Sequence, residues 1–236
     1  FTDPRITFLK NSQNLGATTT SNRAIRAAKG HWIAILDSDD WIAPERLERM
    51  VQVAEAEAAD LIVDDLFLIR DGEATAWSTL LSESDRIITQ IQQINPVFFV
   101  ETDQYGKRCL RLGITKPLFR RQFLEQNSIQ YDETLTAAYD YWIDLNCLVR
   151  GAKFILLPEP YYFYRSRAGS AVSNKRIGWL SECCQATERF IQQPITQQNP
   201  ALVRALSRQL AQFQRLRAYY QVIEPLKEKQ YGKALI

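Results

Sequence analysis

The run Ile33-Ala-Ile-Leu-Asp-Ser-Asp-Asp-Trp-Ile-Ala-Pro44 puts an apolar segment, an acid cluster and a helix start into twelve residues. Trp32 to Leu36 is apolar, and the spacing predicts a buried strand of a parallel sheet. The strand ends in Asp37, Asp39 and Asp40. Carboxylates at the C-terminal end of such a strand stand where open α/β sheets bind ligands. Acids crowded this way repel one another, and a divalent cation shared with a phosphorylated ligand relieves that repulsion. The plainer alternative is a solvated acidic loop that leads into the next helix. The order of strand, acid cluster and Pro44-initiated helix favours the cation.

The chain has 236 residues, enough for one sizeable core with a smaller appendage. Its formal charge is +2, so nothing demands nucleic acid as a partner. Cys109, Cys147, Cys183 and Cys184 make no Cys-X-X-Cys pair. Adjacent cysteines on a helical pattern are a poor disulfide framework, which predicts reduced thiols and a cytoplasmic location. The sequence shows neither a signal peptide nor an apolar run of membrane-spanning length; Leu61 to Ile69 is interrupted by Asp64-Asp65.

Outward from the acid cluster, Arg5 to Leu9 is predicted as a strand and Ala17 to Lys29 as a helix ended by Gly30. With the strand at Trp32 these would form a βαβ unit. Glu45 to Ala59 reads as a helix, Asp60 to Ile69 as a strand, and Glu73 to Trp77 as its hairpin partner. Thr89 is expected to cap a short helix closed by Asn95-Pro96. Leu118 to Leu124 reads as a strand running into a helix, and Asp140 to Arg150 as a further helix. Lys153 to Leu157 and Tyr161 to Tyr164 are two strands broken by Pro158 and Pro160. Helices follow at 178–192 and 200–222. In the second, Leu206, Leu210, Phe213, Leu216 and Tyr220 recur at helical spacing, which points to a core or a homodimer contact. The last 36 residues carry seven Lys/Arg against two Glu, which adds an anionic membrane surface as a peripheral partner.

Asn14-Leu-Gly16, Ser21-Asn22, Ala28-Lys-Gly30-His-Trp-Ile33, Leu36-Asp-Ser-Asp-Asp40 and Pro44 together resemble the middle of a family 2 glycosyltransferase. The acid cluster corresponds to that family's Asp-X-Asp motif. The resemblance implies a GT-A-type α/β three-layer sandwich with a mixed, mostly parallel sheet. Members open with a strand, a helix and a strand upstream of the point where this chain starts, at Phe1. The expectation is therefore an N-terminally truncated transferase domain over residues 1–175, with a helical appendage over 176–236.

Asp140 follows a loop of small and polar residues and opens a helix. Taken alone it is an N-cap carboxylate. By resemblance to the family's second acidic motif, commonly Glu-Asp, it is the general base, and a helix N-terminus keeps it ionised. Tyr139 stands where Glu is usual, and Ser21 where Arg is usual. Asp144, one turn on, is expected to be a solvated or structural acid. The stretch from Gly151 to Ser170 is also similar to the family, and places Arg165 and Arg167 near a diphosphate. Lys116 reads as a surface lysine and His31, the sole histidine, as structural or solvated.

The function so implied is inverting, metal-dependent transfer from a nucleotide sugar to a hydroxyl of a saccharide, lipid-linked or protein acceptor, as in polysaccharide synthesis. Asp39, with Asp37, would hold Mg²⁺ or Mn²⁺. Asp37, Asn22 and Arg167 would contact substrate, and Asp140 would take the proton. The location would be the cytoplasm, at the inner face of the membrane. The alternative is a truncated or degenerate domain that binds a partner without catalysis.

Overall fold

A computed structural model describes residues 3–166 and 176–227. Its first half runs α1 (Gly16–Ala27), β1 (Trp32–Ala34), β2 (Trp41–Ile42), α2 (Arg46–Ala56), β3 (Leu61–Arg70), β4 (Ala76–Thr79), β5 (Gln92–Ile94) and α3 (Pro96–Thr102). A 3₁₀ turn at Leu112–Ile114 leads to β6 (Leu118–Arg120) and α4 (Arg121–Gln126). The rest is α5 (Tyr139–Val149), β7 (Phe154–Ser166), α6 (Arg176–Ile191), α7 (Pro194–Gln197) and α8 (Pro200–Lys227).

The seven-stranded sheet has the order β1-β6-β3-β7-β2, with β4 beside β3 and β5 beside β7. It is mixed, as expected of the fold. Its parallel share is smaller than expected: β3 and β7 form the long parallel pair, and the other described pairings are antiparallel. β1 pairs antiparallel with β6 at the sheet edge and buries Ile33 alone, so it is not a buried parallel strand. Arg5 to Leu9 forms no strand, because none of the described strands pairs with it; Ile6 and Phe8 are exposed.

Alternation along β3 and β7 makes the layers, since successive side chains point to opposite faces. Leu61, Val63, Phe154 and Leu156 face one core with α3 and α5. Ile62, Ile155 and Leu157 face the other, under Met50, Val53 and Ala54 of α2. Pro158 and Pro160 do not break β7. Register shifts on either side of the Asp65–Pro160 pair take up the extra residues as a bulge, and regular pairing continues from Leu66 with Tyr162. Asn95-Pro96 starts a helix rather than ending one. Gln92 to Ile94 adds to β7 as a strand, and Asn95 Oδ1 accepts the Phe98 N–H at 2.9 Å. That geometry is the N-cap followed by proline at N1.

The C-terminal helices pack into the main core. Ala186 and Phe190 of α6 and Leu202, Ala205 and Leu206 of α8 share it with Trp142 of α5. Phe213 of α8 is buried against Leu180, and Leu210, Leu216 and Tyr220 pack beside it. The helical repeat of α8 thus serves an intrachain core. All four cysteines are buried and unpaired.

Candidate active site

The acid loop lies between β1 and β2, and β2 pairs with Phe163 and Tyr162 of β7. That pairing brings the Tyr162 hydroxyl beneath the loop. The hydroxyl accepts the Asp37 N–H at 3.2 Å and donates to Asp40 Oδ2 at 2.8 Å. Asp40 Oδ1 accepts the Arg165 N–H at 2.8 Å. Burial raises the Asp40 carboxyl above its usual range, against these two hydrogen bonds. Asp40 therefore anchors the loop to β7.

Asp140 reaches the same place from the start of α5. It is not the N-cap. Ala138 occupies that position in the left-handed region at φ 57°, without a side-chain cap. A non-glycine residue held there is strained, and such strain concentrates at functional sites. The turn aims Asp140 at Lys116, whose Nζ lies 2.5 Å from Asp140 Oδ2 and 2.9 Å from Asp37 Oδ2. One ammonium thus bridges the acid loop and the helix start. Protein groups relieve part of the crowding of carboxylates in the acid loop.

Lys116 is not a surface lysine; its side chain is 6% exposed. Burial alone would lower its pKa, but Asp140 and Asp37 outweigh burial and raise it, so the ammonium stays charged. Burial pushes Asp140 upward, with Lys116 opposing and Asp37 adding to the rise; the Tyr131 hydroxyl also hydrogen-bonds to it. The backbone that carries Lys116 is pinned by Arg46, which donates to the Lys116 carbonyl at 2.6 Å. Arg46 also forms a two-point ion pair with Asp64, at 2.9 and 2.8 Å, fully inside the protein.

The other residues expected at the site do not all join it. Asn22 is buried, and its amide ties α1 to the 131–133 segment: Nδ2 donates to the Tyr131 carbonyl and Glu133, and Oδ1 accepts the Tyr131 N–H. Arg167 lies outside the described residues. The Arg165 side chain sits over Trp41 and 3.9 Å from Asp71. Tyr139 packs edge-on against Tyr131. His31 is exposed.

Asp144 is not solvated. It is fully buried, and neither carboxylate oxygen has a hydrogen-bond partner among the described residues. Burial, followed by the charge of Asp140, drives its pKa well above the usual range. The folded state therefore holds a proton that the unfolded chain has already released. Stability falls as pH rises from about 4, the unfolded value, toward the raised folded one, by up to ~1.4 kcal/mol per pH unit. Urea midpoints of Asp144→Asn, measured from about pH 5 to 8, should decline less steeply than those of the parent chain. Equal slopes would show that Asp144 does not titrate in this way.

A cleft of about 280 Å³ opens beside this cluster. Asp37, Lys116 and Asp140 line it, as do Tyr105, Trp179 and Phe213. It places carboxylates, an ammonium and aromatic rings within one ligand-sized concavity.

Two sequence signals had pointed to the parts missed. Arg46 stands in the first turn of α2, where the helix dipole disfavours a cation. Asp64-Asp65 interrupts an apolar strand, and buried acids need partners. Each implies the other.

Comparison with known proteins settles the family. The profile of Glycosyl transferase family 2 matches residues 1–125. The chain belongs to glycosyl transferase family 2. Succinoglycan biosynthesis protein ExoO of Rhizobium meliloti is 30% identical over 99% of this chain and 65% of its own length. The Escherichia coli UDP-Glc:alpha-D-GlcNAc-diphosphoundecaprenol beta-1,3-glucosyltransferase WfaP is 27% identical over 73% of this chain and 61% of its own. The chain thus spans less than two thirds of either relative. The structure of S. aureus TarS 1-349 in complex with UDP-GlcNAc superposes with a TM-score of 0.60 at 17% identity, over 93% of this chain and 60% of that one. The family 2 domain accordingly has the expected GT-A-type fold. Among the described residues no helix is long and apolar enough to cross a membrane.

Proposed function

We propose that this domain transfers a sugar from a nucleoside-diphosphate sugar to a saccharide hydroxyl, with inversion at the anomeric carbon. The observation that carries the reading is the Asp37–Lys116–Asp140 bridge lining a cleft. It sets a carboxylate base against the acid loop that faces the donor. Asp140 takes the proton of the attacking hydroxyl. Lys116 keeps that carboxylate charged in a setting where burial favours the neutral acid. One base without a nucleophile fits a single displacement, through an oxocarbenium-like transition state.

Mg²⁺ or Mn²⁺ fits the donor side. Among the described residues no cluster of three or more His, Cys, Asp or Glu forms a complete cage. Asp37 and Asp39 supply two carboxylates, and divalent ions at phosphate sites commonly take one or two carboxylates plus substrate oxygens. When bound, the ion would neutralise charge on the departing diphosphate. Asp37 would then exchange its contact with Lys116 for a shared one.

The names of the relatives favour UDP-sugars as donors and growing or lipid-linked saccharides as acceptors. Contact with a membrane surface fits α8, where exposed Arg204, Arg208 and Arg215 lie in line with exposed Tyr219, Val222 and Leu226. The work of the domain is then cytoplasmic, at the inner membrane face. The test is incubation with UDP- and GDP-sugars and glycoside acceptors, with the product's anomeric coupling read by proton NMR. Inverted product supports the proposal; retained configuration contradicts it.

A further inference from the structure

The cleft is assembled from segments far apart in the chain. Asp103, Tyr105 and Arg111 come from the loop before the 3₁₀ turn, and Trp179 and Phe213 come from α6 and α8. Trp179 and Phe213 lie beyond the residues that match the family profile. The Tyr105 and Trp179 rings meet with centroids 4.5 Å apart, tilted by 48°. Both are half-buried, so each keeps part of its surface toward the cleft. The floor is Gly113, whose N–H donates to Asp103 Oδ2 at 2.8 Å. A Cβ at Gly113 would stand 2.6 Å from the Tyr141 ring and 2.8 Å from Asp103 Oδ2, so the floor is shaped by the missing side chain. Arg111 and Thr136 add polar groups at the rim.

A pyranose ring has an apolar face of C–H groups and an edge of hydroxyls. The cleft offers an aromatic wall to the one and charged and polar side chains to the other. Its volume of about 280 Å³ is small, near the lower end of ligand pockets, and suits one ring rather than an oligosaccharide. We propose that this cleft is the acceptor subsite for a single terminal pyranose residue, laid against Tyr105 and Trp179 with its attacking hydroxyl at Asp140. The inference rests on the transferase reading above and extends it. Acceptor choice is set by the 103–113 loop, near the end of the profile match, together with the C-terminal helices beyond it.

The test is direct binding, with neither donor nor metal present. Saturation-transfer NMR is run on the full chain with methyl β-D-glucopyranoside and methyl β-D-galactopyranoside. Transfer to the ring C–H protons of at least one glycoside is expected. Tyr105→Ala should weaken that binding at least tenfold, whereas Tyr105→Phe, which keeps the ring, should stay within threefold. Arg111→Ala changes an exposed side chain and covers the case in which Tyr105→Ala fails to fold; it too should weaken binding. Asp39→Ala, on the donor side, should leave glycoside binding unchanged. Absence of transfer to both glycosides, or equal binding by the folded Tyr105→Ala and Arg111→Ala chains, overturns the subsite. Binding that follows this pattern in a chain that never transfers sugar would instead overturn the transferase reading and leave the subsite in place.

Discussion

Asp140→Asn lowers kcat for transfer by about 10²–10⁴-fold, the range for losing a general base, and leaves donor affinity within about threefold. The proposed roles predict this split. Asp140 contacts Lys116 and lines the cleft proposed for the acceptor, whereas the donor is proposed at the acid loop. The same residue sets the pH dependence. Its pKa is raised by burial, and the base must be ionised, so activity falls with decreasing pH on an acid limb above the ordinary carboxylate range. Steady-state kinetics across pH on the parent chain and the Asn variant measure both effects. A loss below tenfold, or an equal loss of donor affinity, would assign Asp140 to another task.

Arg46→Met costs about 3–5 kcal/mol of folding stability, the usual penalty for leaving one member of a buried ion pair alone. Arg46 and Asp64 have 1% and 0% of their side chains exposed. Asp64 would keep its desolvation cost and lose both hydrogen bonds, and the Lys116 carbonyl would lose its donor. The Arg46 guanidinium also stacks 5.0 Å from the centre of the Tyr162 ring, whose hydroxyl supports the acid loop. With total stabilities of roughly 5–15 kcal/mol, such a loss brings the chain near its unfolding threshold. The double variant Arg46→Met/Asp64→Leu should recover most of the loss, because no unpaired charge is left inside. Urea unfolding of the two singles and the double closes the cycle. A single-variant cost under 1 kcal/mol, or no recovery in the double, would contradict the account.

Much of this was legible before the structure, and the rest failed for identifiable reasons. The acid loop and the helix start after Pro44 were legible because strand, acids and helix start are contiguous. The hairpin of β3 and β4 and the strand-to-helix step at β6 followed from local turn and periodicity signals. Long-range facts did not. Nothing near Lys116 in the sequence says that carboxylates from the acid loop and from α5 converge on it. Pro158 and Pro160 suggested a break, because proline removes ladder donors, yet the bulge in β7 absorbs them. Asn22 was assigned to substrate because it sits in a family-like run, but burial makes its amide a tie between α1 and the 131–133 segment. Asp144 was expected to be a solvated or structural acid, and its burial leaves only the second. The face it shares with Asp140 turns into the core one turn later.

The most direct test of the acid loop and its bridge is calorimetric titration of UDP, with and without Mn²⁺, into this chain and into Asp39→Ala. The account predicts UDP binding that needs the metal in the parent chain and is lost in the variant. Binding of equal strength without Mn²⁺, or in the presence of the Asp39 substitution, would contradict a metal-held donor at Asp37 and Asp39.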